Sequence, residues 1–156
     1  MPGRAFTLIE ILIVVLLLGV LAAIAIPQFA DASEESQRAT FVSNLGYFSR
    51  QCEYYRIQKG DYPPDGTSGE LPVELDTYIR AEDFERMTPI GGVWDTELDD
   101  NGVHAAVGVH FNGVGNTQDD AYMTIIDVML DDGDLADGLF RKLDVDRYYY
   151  VLEEAP

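Results

Sequence analysis

Hydrophobic positions follow two different patterns along this chain. Residues 6–26, F-T-L-I-E-I-L-I-V-V-L-L-L-G-V-L-A-A-I-A-I, are apolar around every face, and Glu10 is the only charge among them. At 1.5 Å rise per residue, roughly 20 such residues cross a bilayer core about 30 Å thick, whereas a cleavable secretory segment has an apolar stretch of only about 7–15. The run therefore reads as a retained spanning helix. Beyond Pro27 the pattern becomes amphipathic. Phe41, Leu45, Phe48, Cys52 and Tyr55 recur at alternating spacings of four and three, with Glu34, Glu35, Arg38, Arg50 and Glu53 on the other faces. One helix is predicted from residue 6 to about residue 58. It should bend or locally melt at Pro27, which lacks a backbone donor and crowds the carbonyl four residues back.

Past that helix the periodicity shortens. K-G-D-Y-P-P-D-G at residues 59–66 is dense in turn formers and stops the helix. A loop-rich stretch follows to about residue 92, with short helical pieces near 72–80 and 81–87. Residues 93–98 and 103–111 are rich in strand formers on either side of D-D-N-G, so they read as a hairpin. Thr117 opens a T-x-x-D resembling a capping box, ahead of a short helix over 121–130 that stops at Gly133. Residues 140–143 and 148–153 read as a last pair of strands around 144–146. The sum is an α+β chain, a long helix whose apolar stripe packs on a small antiparallel sheet. Cys52, within the stripe, should be a buried small hydrophobe. His104 and His110 share a strand face and read as ordinary sheet residues. Tyr148, Tyr149 and Tyr150 alternate across a strand, so at least one is expected at the surface.

Charge sharpens this picture. The formal net charge is −18, and removing Arg4 and Glu10 leaves 9 basic against 27 acidic residues, all after Pro27. Such a surface repels phosphate backbones, which excludes nucleic-acid binding by this subunit alone. The one cysteine precludes an internal disulfide. No nucleophile with an adjacent base, phosphate-binding glycine loop or cysteine metal motif stands out, so the chain is read as no enzyme. The run Asp131-Asp132-Gly133-Asp134-x-x-Asp137-Gly138 sets four carboxylates on a tightly turned loop. Hard cations such as calcium want oxygen ligands of that kind, and a disulfide-free domain would gain from the clamp. The run lacks the spacing and final Glu of an EF-hand, and a solvated helix-ending turn is the competing reading.

Glu10 is the anomaly of the apolar run. A carboxylate one turn into a membrane helix either reaches headgroup water or pairs with a cation at its own depth. If the leader were cut after Ala5, the new α-amine of Phe6 would be such a cation. The string A-F-T-L-I-E, its apolar continuation, Gly19 and then Pro27 resemble the class III signal of type IV pilins and of type II secretion pseudopilins, with Ala5 standing where that family usually has Gly. The resemblance implies a pilin-like fold and a specific maturation. Residues 1–5 would be a leader removed by prepilin peptidase, and Phe6 would become N-methylphenylalanine. Residues 6–27 would be the transmembrane and filament-core helix, and 28–156 the head: amphipathic helix 28–58, variable loop 59–92, then sheet and C-terminal region 93–156. Glu10 would neutralise the Phe6 amine of an adjacent subunit in a helical filament, with Gly19 permitting close helix approach. Implied partners are other copies in a homo- or hetero-filament, the peptidase, and an inner-membrane platform driven by a cytoplasmic ATPase. Arg4 on the short side places the N-terminus in the cytoplasm and the head outside, first as a single-pass inner-membrane protein and later as a periplasmic or extracellular filament. The alternative is a monomeric anchored domain whose acidic head captures a cation or a basic partner.

Overall fold

The computed structural model describes residues 7–156. Its first element, α1 (Leu8–Lys59), is a single helix of 52 residues. Compact packing divides the chain between Ser36 and Gln37.

In the first unit the helix carries the apolar run. Helical structure passes through Pro27 without interruption, so the local melting expected there does not occur. One missing ladder bond is outweighed by the intact turns on both sides, which are rich in Leu, Ile and Ala. Leu12, Leu16, Leu21 and Ile24 are all more than half exposed. A helix apolar on every face and buried on none matches the surroundings of a membrane or of other helices, and this one has the length to cross a bilayer.

The second unit, Gln37–Pro156, is a helix on a sheet. A single-turn 3-10 helix (Val73–Leu75) and α2 (Ala81–Phe84) punctuate the loop region. Four strands follow: β1 (Val93–Asp100), β2 (Val103–His110), β3 (Phe140–Asp144) and β4 (Arg147–Glu154), with α3 (Asp120–Leu130) between β2 and β3. The sheet is antiparallel throughout in the order β1-β2-β4-β3. This is the α+β, pilin-like layout expected from the sequence. The predicted stripe supplies the helix side of the core, with Phe41, Leu45, Phe48 and Cys52 at 0–2% exposure. Trp94 meets them from β1: Phe41 stacks on it with centroids 5.0 Å apart, and Phe48 meets it edge-on at 4.9 Å. Cys52 is inert in this setting, since burial pushes its thiol up to about 12.

Turn chemistry fixes the register of the hairpin. Asn101 (φ 50°) and Gly102 (φ 82°) both take positive φ, as a two-residue type I′ turn requires, and Asp100 pairs with Val103. The strand therefore runs through Asp99 and Asp100, two residues further than expected. The cap of α3 also differs from expectation. Asp119 is the N-cap and accepts from the Tyr122 amide at 2.9 Å, so Thr117 is not the capping residue. Asp is as good a cap as Thr and lies next to the first helical residue.

The tyrosine run corrects a larger assumption. Tyr148 and Tyr149 are buried on opposite faces and Tyr150 is half-buried, so none is exposed. The sheet is covered on both faces. Opposite α1, Tyr149 packs with Val103, Ala106 and Val151.

Candidate functional site

The first turn of α1 is built by its own sequence. Thr7 precedes the helix and Glu10 lies three residues on. The Thr7 amide donates to Glu10 Oε2 at 2.9 Å, the Thr7 hydroxyl donates to the same oxygen at 2.8 Å, and the Glu10 amide donates back to Thr7 Oγ1 at 3.3 Å. This is a reciprocal capping box, which satisfies helix-end donors that a membrane would leave bare. The carboxylate also lies at the positive end of the helix dipole. Both bonds end on Oε2, so Oε1 can receive a further donor. Around it Leu8, Ile9 and Ile11 expose half or more of their surface. Gly19 and Pro27 follow along the same helix, roughly 14 and 26 Å beyond Glu10 at 1.5 Å per residue. A Cβ added at Gly19 would meet nothing within 4 Å, which leaves that stretch of the helix open to close approach. The other two residues singled out for processing, Ala5 and Phe6, lie outside the described residues.

The acidic loop after α3 is arranged differently from its reading in sequence. Asp131 and Asp132 come together with Asp127, one ligand oxygen from each lying within 4.8 Å of the others. Asp134 and Asp137 instead turn back onto the loop, accepting from the amides of Ala136 at 3.0 Å and Gly138 at 2.8 Å. Asp127 lies on the buried face of α3 beside Met123 and Ile126 and is 0% exposed. Neither of its carboxylate oxygens has a hydrogen-bond partner. Burial pushes the Asp127 pKa up to about 6, reinforced by Asp132 and Asp131; the Gly133 amide tempers the rise without reaching hydrogen-bond geometry.

A third charged group closes the sheet face opposite α1. Asp95 and Glu97 of β1 are 3% and 2% exposed. Arg147 of β4 donates to Glu97 Oε1 and, at 3.4 Å, to Asp95 Oδ2. The hydroxyls of Tyr149 and Ser68 each donate to Asp95 Oδ2 at 2.6 Å. Burial raises Glu97 above its ordinary value, and Arg147 opposes that rise. His110 joins the edge of this group through Ser68 at 2.9 Å and Asp146 at 3.4 Å. The other histidine, His104, bridges Asp99 at 2.6 Å and Asp61 at 3.2 Å.

Comparison with known proteins bears on the first of these three places. The family model of the prokaryotic N-terminal methylation motif matches residues 3–26, the segment holding the capped turn and the apolar helix. Type II secretion system core protein G of Klebsiella pneumoniae is 33% identical over 57% of this chain and 61% of its own length. Core protein G of Klebsiella michiganensis is 26% identical over 75% of this chain and 89% of its own. Type IV major pilin protein PilE1 of Neisseria gonorrhoeae is 29% identical over 67% and 48%. This chain carries the N-terminal methylation motif and is similar to type II secretion pseudopilins and type IV pilins.

The chain spans a little over 60% of one secretion-protein relative and about half of the type IV pilin. No solved structure matches it. Two features of the site are not plain from the sequence. The capping partner Thr7 is legible as T-x-x-E ahead of an apolar run, a local signal masked by the lone charge of Glu10 in a membrane-length segment. Asp127, inside an apolar helix, had no local signal; only the fold shows which way it faces.

Proposed function

We propose that this chain is a structural subunit of a helical filament, a type IV pilus or a type II secretion pseudopilus, assembled through its N-terminal helix. The observation that carries the reading is a methylation motif whose single charge, Glu10, sits in a capped first turn at the head of a fully exposed apolar helix. Before assembly the helix is a single inner-membrane span, with the N-terminus in the cytoplasm and the Gln37–Pro156 unit outside. Prepilin peptidase removes residues 1–5 between Ala5 and Phe6 and the new N-terminus is methylated. Thr7 holds the Glu10 carboxylate while the subunit waits in the bilayer. On entering the filament, the Phe6 amine of a neighbouring subunit reaches the same carboxylate and replaces solvation by an ion pair.

Packing among the apolar helices, including close approach at Gly19, supplies the remaining attraction. Subunits related head to tail by an operation that does not close generate a filament, with the acidic units outside. A cytoplasmic ATPase and its membrane platform drive growth. Expressed with its own assembly machinery, Glu10→Val should abolish or strongly reduce filaments while Trp94 emission stays that of the folded unit. Filaments in normal number from Glu10→Val would remove the assigned role, as would a native N-terminus still at Met1 by mass spectrometry.

A further inference from the structure

We propose that His104 and His110, the chain's only histidines, form a two-point proton clasp that seats residues 61–68 on β2 when both rings are charged and releases them when the rings are neutral. The inference lies within the Gln37–Pro156 unit and stands apart from the filament reading. Both rings belong to β2, and each reaches one end of the same segment. His104 Nε2 meets Asp61 Oδ1 at 3.2 Å, and His110 Nδ1 meets Ser68 Oγ at 2.9 Å. Between these ties Pro64, Asp65, Gly66 and Thr67 are all exposed.

The second nitrogen of each ring sets its charge. His104 Nδ1 lies 2.6 Å from Asp99 Oδ1, so this ring has a carboxylate on both sides. An ionised carboxylate only accepts and a neutral imidazole has a single N–H, so the imidazolium alone satisfies both contacts. His110 reaches the same state by a longer route. The Ser68 hydroxyl donates to Asp95 Oδ2 at 2.6 Å, which leaves Oγ to accept from His110 Nδ1. His110 Nε2 faces Asp146 Oδ2 at 3.4 Å and calls for a proton there as well. Deprotonation therefore removes one contact at each ring. On His104 the shorter Asp99 contact keeps the proton, and the tie to Asp61 is lost. On His110 either Nε2 turns a lone pair on Asp146, or Ser68 withdraws its proton from Asp95. The surroundings reinforce the release. His104 also faces the Tyr62 ring, and His110 has Asp95 Oδ2 at 3.8 Å and Arg147 opposite it in the strand pairing. Arg147 is committed to Glu97 and Asp95, and among the described residues the two histidines are the cations that reach Asp61, Asp99 and Asp146. Asp65, within the segment, is raised above the ordinary carboxylate range by burial and then by Asp95. The sign follows from His104, whose folded value the Asp99 hydrogen bond holds above the ordinary 6.5: the clasp is closed at low pH and opens as pH rises through that folded value.

The test uses the full chain in detergent with a nitroxide spin label on Thr67→Cys. Cys52 is buried with its thiol held protonated, so the label goes to the new thiol alone. The electron spin resonance spectrum should show an immobile label at about pH 5.5 and a mobile fraction at least about threefold larger at about pH 8.5. His104→Gln combined with His110→Gln should give one mobile spectrum at both pH values. Asp61→Asn combined with Ser68→Ala leaves both rings in place and removes the loop partners, and it too should show no pH response, which keeps the test decisive if the histidine variant folds poorly. Identical wild-type spectra at the two pH values, or a transition that survives in the Asp61→Asn, Ser68→Ala chain, would each overturn the clasp. Because the unassembled chain is used, the result is independent of whether Glu10→Val blocks filaments.

Discussion

Arg147→Met puts the buried charges opposite α1 to a quantitative test. Asp95 and Glu97 are almost wholly buried, and Arg147, 26% exposed, is the cation on both. Removing one partner of a buried ion pair costs about 3–5 kcal/mol because the other is left uncompensated. The partial exposure of Arg147, together with the Tyr149 and Ser68 hydroxyls that remain on Asp95, places this case at about 3 kcal/mol near neutral pH. The deficit should also depend on pH. Glu97 already titrates above its ordinary value when folded, so the folded state holds its proton more tightly than the unfolded chain does. Stability from this group therefore falls as pH rises through the interval between the two values. Without Arg147 the folded value moves further up, the interval widens, and the loss at the alkaline side grows. Urea unfolding monitored by Trp94 should show a midpoint lower by about 2 M at about pH 8, taking m near 1.5 kcal/mol/M, and a visibly smaller difference from wild type at about pH 5. A midpoint drop under about 0.3 M, or an equal drop at both pH values, would refute the account.

Two further outcomes test other parts of the fold. His104 hydrogen-bonds Asp99 and Asp61, and the Asp99 hydrogen bond is the main cause holding its pKa above the ordinary 6.5. The stability it lends is thus complete below that value and lost as pH rises through the folded one, and an NMR titration of its ring should give a midpoint above 6.5 that falls in Asp99→Asn. A midpoint at or below 6.5 contradicts the geometry. Gly108→Ala on β2 would place a Cβ 2.1 Å from the Tyr148 carbonyl oxygen and 2.6 Å from Tyr149 Cα, both backbone atoms of β4. Forcing two paired strands apart should cost about 3 kcal/mol, read as a fall in the urea midpoint, and an unchanged midpoint would mean the sheet relaxes freely there.

How much of this was legible in the sequence depended on the range of the interaction that decides each residue. Phe41, Leu45, Phe48 and Cys52 announce their face by helical spacing alone, and Asn101-Gly102 announces its turn because positive φ is a property of the dipeptide. The prepilin signal is likewise local, a contiguous string. Tyr149 could not be read this way. Its cover comes from Asp95, 54 positions earlier, and from the Ser68 loop beyond it. Nothing in R-Y-Y-Y-V-L-E says that the far face of the sheet is closed. Asp127 failed for a related reason: α3 is apolar on both sides, with Ile125 and Val128 exposed, so periodicity gives no inward direction. Asp131, Asp132, Asp134 and Asp137 look alike in sequence and all accept loop amides; only the fold shows that Asp131 and Asp132 are the two that come together with Asp127.

The strand order β1-β2-β4-β3 leaves β1 and β3 as the two borders of the sheet. Each border is guarded. The first carries Asp95, Glu97, Asp99 and Asp100 along its length, and the second is only five residues long with Arg141, Lys142 and Asp144 among them. Bare strand borders recruit other chains, and short or charged ones refuse them. In a filament of the kind proposed above, neighbouring sheets would be held close together for as long as the filament lasts. With both borders closed to strand addition, the proposed polymerisation would be left to the apolar helix, and growth beginning in the membrane would have no second route through the heads.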